Sequence, residues 1–339
     1  MRYCYHYPNM AKIKVLLVGY GYWGPNLARN LNDNSQIEFS GILEIDKDLH
    51  KKISEDYPGI PIFSDIDEIN DGHDAAIVST PATTHFSIGR SLLEKELHVL
   101  VEKPLATSVD ECEKLIKIAK DKNLKLMVGH TYLYNSSVIK IKEIINSGEI
   151  GNLLTIHSER LNLGQIRQDI NVMWNLAPHD FSIISYLVGS YPKSITASGN
   201  DFIKKGMHDI VYVHLGFENN VTGFIHNSWL HPLKSRKVIV VGSEGMIVFD
   251  DTKLDNQIVV YEKGVDWDKI TKSQKGKNSR FEIIDGDYYS PKIEAQEPLS
   301  TEIQAFIDWI KLDKQPISDS MNGLEIVKIL EKAQKDLEI

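Results

Sequence analysis

Short apolar runs and helical patterns alternate along the first third of the chain. Each run leads into a stretch whose apolar positions recur at helical spacing, as in SVDECEKLIKIAKDKN. Buried strands that each lead into a helix are typical of a parallel sheet covered on both faces. We therefore predict a doubly wound α/β domain over residues 11–130, with strands at KVLLVG, IEFSGILEI, AAIVST, HVLVEKP and LKLMVGH.

The pattern changes after about residue 130. A helical stretch near residues 137–146 leads into strand-like runs separated by the turn signals ENN, GSEG and KLDN. This series predicts an antiparallel meander, and hence a second, α+β domain over residues 131–339 with a large, mostly antiparallel open sheet. The runs are LLTIHSERL, DIVYVHLGF, VTGFIHNSWL, RKVIVVG, MIVFDD and QIVVYE.

Further helices and a loop complete the second domain. The helix LAPHDFSIISYLVG interrupts the strands early, and we place Pro178 in its first turn, where the missing N–H is not needed. Residues 264–300 are polar and without a clear period, so we expect a loop there. The helices STEIQAFIDWIKL and GLEIVKILEKAQKDL close the chain, and residues 1–10 are expected to form an N-terminal tail.

Composition and charge narrow the class of protein. The 339 residues are enough for about two domains. A net charge of −9 argues against duplex nucleic acid or an anionic membrane as the main partner. No apolar run approaches the roughly 18 residues of a membrane-spanning helix. Cys4 and Cys112 form no metal or redox pattern, so we expect reduced thiols, no metal and a cytoplasmic protein.

The first strand ends in three glycines at the spacing G-x-G-x-x-G, within LLVGYGYWGPNLARNL. Three glycines can simply mark turns, but these follow a strand and open a helix. In that context Gly19 permits a tight turn, Gly21 lets backbone approach a pyrophosphate, and Gly24 lets the helix pack close to the strand. The helix N-terminus offers N–H groups to the phosphates. We expect a dinucleotide here, with Tyr22 and Trp23 among its contacts.

An acid at the end of the second strand supports the dinucleotide and selects its type. Glu44, in ILEID, lies about 20 residues after the glycines, where an acid hydrogen-bonds the ribose 2′-hydroxyl. A carboxylate there would repel a 2′-phosphate, so we predict NAD rather than NADP. The alternatives are a solvated strand-end acid, or Asp46 in the same role.

The ends of the later strands are the next candidates, because ligands of open α/β sheets lie beyond the carboxyl ends of strands. These ends carry STPATTH, VEKP and GHTYLYN. A lysine at a strand end can orient a substrate hydroxyl or lower its pKa, although a single lysine often only reaches solvent. His130 is expected to cap or pack around the same cleft. The predicted cofactor contacts are Thr80, Pro81, His85, Glu102 and Lys103.

The glycine turn, the strand-end EKP and a later helix with a histidine occur together with GHTYLYN, VVGSEGMIVFDD and GLEIVKILEKA. In this combination the chain resembles the Gfo/Idh/MocA oxidoreductases, the glucose–fructose oxidoreductase and inositol dehydrogenase family. The resemblance covers nearly the whole chain from Met10. It implies a Rossmann domain and an α/β domain whose open sheet often mediates oligomerisation. It also implies that EKP carries the catalytic lysine, Lys103, often before a cis proline.

The family usually has Asp-x-x-x-His at the start of the helix that faces the nicotinamide. This chain has NLAPH, so His179 matches the histidine and Asn175 replaces the aspartate on the same helix face. An asparagine can only orient the imidazole by hydrogen bonding. Asp180 points about 100° away on an ideal helix. Similar asparagine patterns occur in members acting on UDP-N-acetyl sugars, which favours that branch; without the family, His179 would be interpreted as a packing or capping residue.

The resemblance implies hydride transfer between a sugar carbon and NAD. His179, or neutral Lys103, would take the hydroxyl proton, and Lys103 as ammonium would steady the developing alkoxide. The reverse reduction uses the same groups. Outside the first domain, arginines could hold a pyrophosphate and aromatic residues could stack on a sugar or uracil, although each could equally be a solvated charge or a core residue. The predicted substrate contacts are Tyr132, Asn135, Arg160, Trp174, His179 and Arg236.

The expected protein is thus an NAD-dependent dehydrogenase of a sugar, with the C3 position of a UDP-N-acetyl-hexosamine as the favoured substrate. We expect a homo-oligomer, either a dimer or a tetramer. A dehydrogenase or reductase of a polyol, inositol or deoxy-keto-sugar is the alternative within the same family. An NAD-binding sensor without turnover is the alternative from a different class.

Overall fold

The computed structural model describes residues 11–164, 166–266 and 283–338. The predicted tail, residues 1–10, lies outside the described residues. By their contacts the described residues divide into two compact units. The first runs through Gly129 and includes Leu299–Leu324, and the second comprises His130–Pro298 and the chain from Glu325 onward.

The first unit is built on a parallel sheet, as predicted, but the sheet has six strands, and the short strand Ile62–Phe63 was not among the five predicted. In the four central strands of the sheet, apolar side chains such as those of Val15–Val18 are fully buried, because helices cover both faces. The strand order is β3-β2-β1-β4-β5-β6. The strands are β1 (Ile13–Val18), β2 (Ile37–Leu43), β3 (Ile62–Phe63), β4 (Ala75–Val78), β5 (His98–Glu102) and β6 (Leu126–Gly129).

Helices follow the strands of this sheet. They are α1 (Gly24–Asp33), α2 (Lys47–Asp56), α3 (His85–Glu94) and α4 (Val109–Asp121). The strand order reverses between β1 and β4, so the segments that follow these two strands meet at the topological switch point. The glycine turn follows β1 and the segment STPATTH follows β4, which places both at the position where such sheets bind ligands.

The second unit contains an eight-stranded sheet in the order β14-β13-β12-β11-β7-β10-β9-β8. Adjacent strands of this sheet pair antiparallel, except for β7 and β10. The strands β10 and β11 run in opposite directions on either side of β7, so β7 is antiparallel to β11 and parallel to β10. The predicted mostly antiparallel open sheet is confirmed, but a simple meander is wrong. The strands are β7 (Leu153–Leu161), β8 (Ser194–Asn200), β9 (Ile210–Gly216), β10 (Thr222–Ser228), β11 (Ser235–Gly242), β12 (Met246–Asp250), β13 (Ile258–Val265) and β14 (Ile283–Tyr289).

Helices cover one face of this sheet. They are α5 (Ser136–Ser147), α6 (Val172–Val188) and the later part of α8 (Ser320–Leu337), whereas α7 (Pro298–Leu312) belongs to the first unit from Leu299 onward. Phe181 of α6 and Ile329 of α8 pack with inward residues such as Ile156 and Val213 in one buried cluster. Residues of the other face, Tyr212, Phe224 and Ile239 among them, are exposed, so burial alternates along strands such as β9. We call this side the uncovered face.

Two local predictions for the second domain are wrong. Pro178 lies inside α6, not in its first turn, because the helix starts at Val172 with Asn171 as its N-cap. Part of the expected loop over residues 264–300 is the strand β14, whose side chains are all exposed and therefore show no alternation of burial. The strand β8, in SITASGN, was not predicted because only Ile195 gives it an apolar signal.

Candidate active site

The glycine turn after β1 is fixed by two close backbone approaches. Gly19 has a φ of +94°, and a Cβ there would lie 2.7 Å from the carbonyl oxygen of Ser79. A Cβ on Gly24 would lie 2.6 Å from the carbonyl oxygen of Gly19. Side chains are therefore excluded at both positions, as the motif requires.

Gly21, between them, faces open space: a Cβ there would meet nothing within 4 Å among the described atoms. The N-terminus of α1 is not capped by a side chain of the described chain. Open space beside a helix N-terminus suits an anionic group such as a pyrophosphate. Tyr22 is 90% exposed and Trp23 is 39% exposed, so both are available at this turn. The residues present fit a dinucleotide.

Glu44 joins the glycine turn to the end of β2. Its side chain is buried, with Oε2 accepting the backbone N–H of Tyr20 at 2.6 Å and Oε1 accepting that of Asp46 at 2.9 Å. A carboxylate has about four lone-pair positions, so two remain for ribose hydroxyls. Asp46 instead caps α2, where its side chain accepts the N–H of Asp48. The geometry therefore assigns the two acids different tasks.

His85 connects the segments that follow β4 and β5. Its ring is buried, with Nδ1 2.7 Å from the carbonyl oxygen of Pro104 and Nε2 2.9 Å from that of Thr80. The hydroxyl of Thr84 donates to Oγ1 of Thr80 at 2.8 Å. Pro81 is exposed beside them. Thr80, one of the predicted cofactor contacts, is thus held in place by hydrogen bonds from α3 and the turn before it.

Lys103 follows the last residue of β5. The backbone N–H of this half-buried lysine donates to Oε2 of Glu102 at 3.2 Å, and the Lys103–Pro104 bond is cis. Burial raises the pKa of the Glu102 carboxyl, against the opposing influence of Lys103 and the Trp23 indole. Gly129 of β6 leaves room for this carboxyl, since a Cβ there would lie 3.1 Å from its Cδ.

In the second unit, α6 carries the candidate histidine. The Asn171 side chain accepts the N–H of Trp174 at 3.0 Å and so caps the helix seven residues before Pro178. His179 is half-buried, and its ring meets the Tyr132 ring edge-on, with centroids 5.0 Å apart and planes at 62°. Asn175 lies one turn earlier and is also half-buried.

A buried ion pair lies next to this histidine in the sequence of α6. Asp180 is 0% exposed and accepts three hydrogen bonds, from Arg160 Nε at 2.8 Å, Ser158 Oγ at 2.6 Å and Asn227 Nδ2 at 2.8 Å. The Arg160 guanidinium lies 4.1 Å above the centre of the Tyr132 ring. Burial lowers the pKa of Arg160, but Tyr132 and Asp180 outweigh it and raise that pKa above its ordinary value.

The remaining predicted substrate contacts differ in how far they are exposed and in how many of their polar groups already bond within the protein. Asn135 caps α5, accepting the N–H of Ser137 at 2.8 Å. The Trp174 indole donates to Oε1 of Gln334 at 3.2 Å. Arg160 is 7% exposed. The Arg236 side chain is 45% exposed and lies 3.5 Å from Oδ2 of Asp251. Arg236 is therefore the most open of these groups to an anion.

Sequence reasoning missed Ser158, Asn227 and Asp251, and it set Asp180 aside. The available signal was polar residues at inward positions of predicted strands: Asn227 follows Ile225, and Ser158 follows Ile156, at the spacing of one sheet face. Such residues need partners when buried, which points to a network under α6.

The described residues hold neither a metal cluster nor a membrane-spanning helix. Over residues 11–164, 166–266 and 283–338, no group of three or more His, Cys, Asp or Glu side chains could hold a metal ion. None of the helices in the described parts of the chain has the length and apolar character needed to cross a membrane.

Comparison with known proteins adds family information. Residues 13–130 match the Gfo/Idh/MocA oxidoreductase family, NAD-binding Rossmann fold, and residues 138–248 match the Gfo/Idh/MocA C-terminal domain. An uncharacterised oxidoreductase of Streptococcus pneumoniae is 28% identical over 269 residues, which cover 72% of each chain. Myo-inositol 2-dehydrogenase of Thermotoga maritima is 22% identical over 339 residues, covering 96% of each.

Among solved structures, UDP-N-acetylglucosamine 3-dehydrogenase of Acidithiobacillus ferrooxidans shares the fold. The TM-score is 0.78, with 97% of this chain and 99% of that chain covered, at 19% identity.

Proposed function

The chain belongs to the Gfo/Idh/MocA family of NAD-binding oxidoreductases, and we propose that within it the protein oxidises a sugar hydroxyl, or reduces the corresponding keto-sugar. The observation that carries this proposal is the half-buried imidazole of His179, held against Tyr132 beside a buried arginine. Such a group is suited to exchange a proton with a hydroxyl. A sensor without turnover needs no such arrangement.

Each reacting group has a role in this proposal. The glycine turn and Glu44 would hold NAD, which would supply the hydride acceptor for the sugar carbon. His179 takes the hydroxyl proton as general base, and Asn175 orients the substrate or the imidazole by hydrogen bonding. Lys103, as ammonium, steadies the oxyanion that develops. The reduction runs through the same groups in reverse.

For the substrate we propose a UDP-N-acetyl-hexosamine oxidised at C3. The asparagine at position 175 and the fold shared with a UDP-N-acetylglucosamine 3-dehydrogenase support this choice. Arg236, with a half-exposed guanidinium, is the proposed contact for the pyrophosphate. Trp174 and Tyr132 are the aromatic residues predicted to contact the sugar or the uracil.

A free polyol is the second candidate substrate. The observation that favours it is the alignment with a myo-inositol 2-dehydrogenase over 96% of both chains. A polyol has no pyrophosphate, so Arg236 would have no anion to bind. The two candidates therefore differ in the expected effect of Arg236→Gln, which should raise KM for a sugar nucleotide and leave KM for a polyol unchanged.

Association into a homo-oligomer is also part of the proposal. The uncovered face exposes Tyr212, Phe224 and Ile239, and exposed apolar surface of this kind suits self-association. Sedimentation at several protein concentrations measures whether a dimer or tetramer forms.

The test of the proposed reaction is a panel of UDP-sugars, N-acetylated and not, and of polyols, incubated with the protein and NAD while NADH is monitored. We expect NADH with N-acetylated UDP-sugars and none with His179→Asn. His214→Asn, the same change at an exposed histidine of the uncovered face, is the control and should retain turnover. NADH only with polyols would support the second candidate, and equal turnover by His179→Asn would remove its catalytic role.

A further inference from the structure

Tyr132 is held on three sides. The Arg160 guanidinium lies over its ring at 4.1 Å, its hydroxyl donates to Oδ2 of Asp251 at 2.7 Å, and its ring edge meets His179. A half-buried tyrosine that only filled space would not require a charged group at both its face and its hydroxyl.

The arginine above the ring cannot easily move. Its Nε donates to Asp180, whose carboxylate also holds Ser158 on β7 and Asn227 on β10. Arg160 and Asn227 are direct neighbours in the register of these two strands. The guanidinium is therefore fixed to the centre of the sheet, and a buried cation over an aromatic face is a favourable contact.

The acceptor of the hydroxyl is fixed as well. The backbone N–H of Asp251 donates to the carbonyl oxygen of Arg236 at 2.9 Å, which continues the pairing of β12 with β11. Asp251, directly after β12, thus holds the tyrosine hydroxyl, and Arg160 on β7 holds the face of the ring.

The contacts also form a closed path. Asp180 directly follows His179 on α6, Arg160 joins Asp180 to the Tyr132 ring, and that ring returns to His179. The ring against which the imidazole packs is therefore itself held, by Arg160 on β7 and by Asp251 at the end of β12.

We propose that Tyr132, clamped by Arg160 and Asp251, is the positioning residue that sets the orientation of the His179 ring. This inference rests on the proposed function, in which His179 is the base. It differs from the predicted role of Tyr132 and Arg160 as substrate contacts. The hydroxyl of Tyr132 is donated to Asp251 and only its ring meets the imidazole, so Tyr132 acts by packing and transfers no proton.

A clamped tyrosine ring would compensate for the asparagine at position 175. A carboxylate there could fix an imidazole through a charge-assisted hydrogen bond, and an amide does so more weakly. The clamped ring supplies the missing constraint. Because a misplacement of about 1 Å can cost about a hundredfold in rate, a loose imidazole would lower turnover without affecting cofactor binding.

The experiment compares Tyr132→Leu, Tyr132→Phe and Tyr186→Leu, the last being a matched change at a half-buried tyrosine of α6. For each we measure turnover and KM with the active substrate, NAD affinity, and the His179 ring signal in histidine-labelled NMR spectra, assigned with His179→Asn. We expect Tyr132→Leu to lower turnover by about a hundredfold, to broaden the His179 signal and to leave NAD affinity unchanged. Tyr132→Phe should restore most of the turnover and a sharp signal, and Tyr186→Leu should match the wild type.

Different results overturn different claims. A Tyr132→Leu variant with wild-type turnover and a sharp His179 signal contradicts the positioning role. A Tyr132→Phe variant as impaired as Tyr132→Leu assigns the function to the hydroxyl and also contradicts it. If His179→Asn turns over normally, the proposed function fails, and the NMR signal of the two Tyr132 variants still decides whether the ring is positioned. Should Tyr132→Leu not fold, Tyr132→Met, which also removes the ring that meets the imidazole but keeps a longer side chain, is expected to broaden the same signal.

Discussion

The two units carry sites of opposite construction. In the first unit the site is shaped by backbone: Gly19 and Gly24 exclude side chains, and Gly21 faces open space at the N-terminus of α1. In the second unit it is shaped by side chains: Tyr132, Arg160 and Asp180 hold one another and the ring of His179. A backbone site tolerates few residue types at its turns, whereas a side-chain site depends on pairs that lie far apart in the sequence.

The largest difference should appear in stability. Arg160→Met leaves Asp180 buried without its cation and should cost about 3–5 kcal/mol of unfolding free energy. Arg167→Met is the matched control, because Arg167 pairs with Asp169 where both side chains are partly exposed. It should cost less than about 1 kcal/mol. Denaturant unfolding measures both, and equal losses would mean that the buried pair does not hold the second site together.

The glycine turn should be sensitive to a single methyl group. Gly24→Ala places a Cβ 2.6 Å from the carbonyl oxygen of Gly19, so the turn must shift. Overpacking of this kind typically costs about 1–3 kcal/mol, and we expect NAD affinity to fall by at least about tenfold with it.

Gly21→Ala is the control for that prediction, because its Cβ meets nothing within 4 Å. We expect unchanged stability, measured by thermal unfolding, and weaker NAD binding, measured by titration. Unchanged NAD affinity in Gly21→Ala would show that the pyrophosphate does not lie against this residue.

The first site, otherwise shaped by backbone, also contains one buried carboxyl side chain, that of Glu102. Burial raises its pKa above the ordinary 4.5, so the fold favours the protonated form. The stability from this group is present below the ordinary value and lost as pH rises through the raised one. At neutral pH the carboxylate therefore costs stability, and Glu102→Gln should unfold at higher denaturant than the wild type. An equal or lower midpoint would contradict the burial argument.

The smallest effect is expected on the uncovered face of the second sheet. The His226 ring stacks on Tyr212, with ring centroids 4.2 Å apart. Burial lowers the pKa of His226; Glu159 opposes this shift, and His231 adds to it. The stability from a neutral histidine is present above the ordinary value of 6.5 and lost as pH falls through the lowered one. His226→Gln should make the decline in acid slightly shallower, and a steeper decline would mean that His226 is favoured as a cation.

The same contrast explains what the sequence could predict. The parallel sheet, the mostly antiparallel second sheet, the family and NAD are confirmed, because they depend on repeated apolar patterns and on glycines at fixed spacing. The start of α6 and the strand β14 were missed. Asn171 gives a cap signal well before the apolar run, and β14 is an edge strand with no buried face.

The network of the second site was beyond sequence reasoning for a different physical reason. Asp180 points about 100° away from His179 on an ideal helix, and the register of β7 and β10 brings Arg160 and Asn227 to it. That register cannot be derived from one sequence. The roles of Lys103, His179 and the other predicted site residues stay predictions.

One measurement tests the central claim most directly: NAD affinity and single-turnover hydride transfer, determined on the same preparation of Lys103→Met. We expect NAD affinity close to wild type, because Lys103 is one predicted contact among many and the glycine turn and Glu44 are intact, and a loss of hydride transfer of about a hundredfold or more. Transfer at the wild-type rate by Lys103→Met, with NAD bound, would contradict the account.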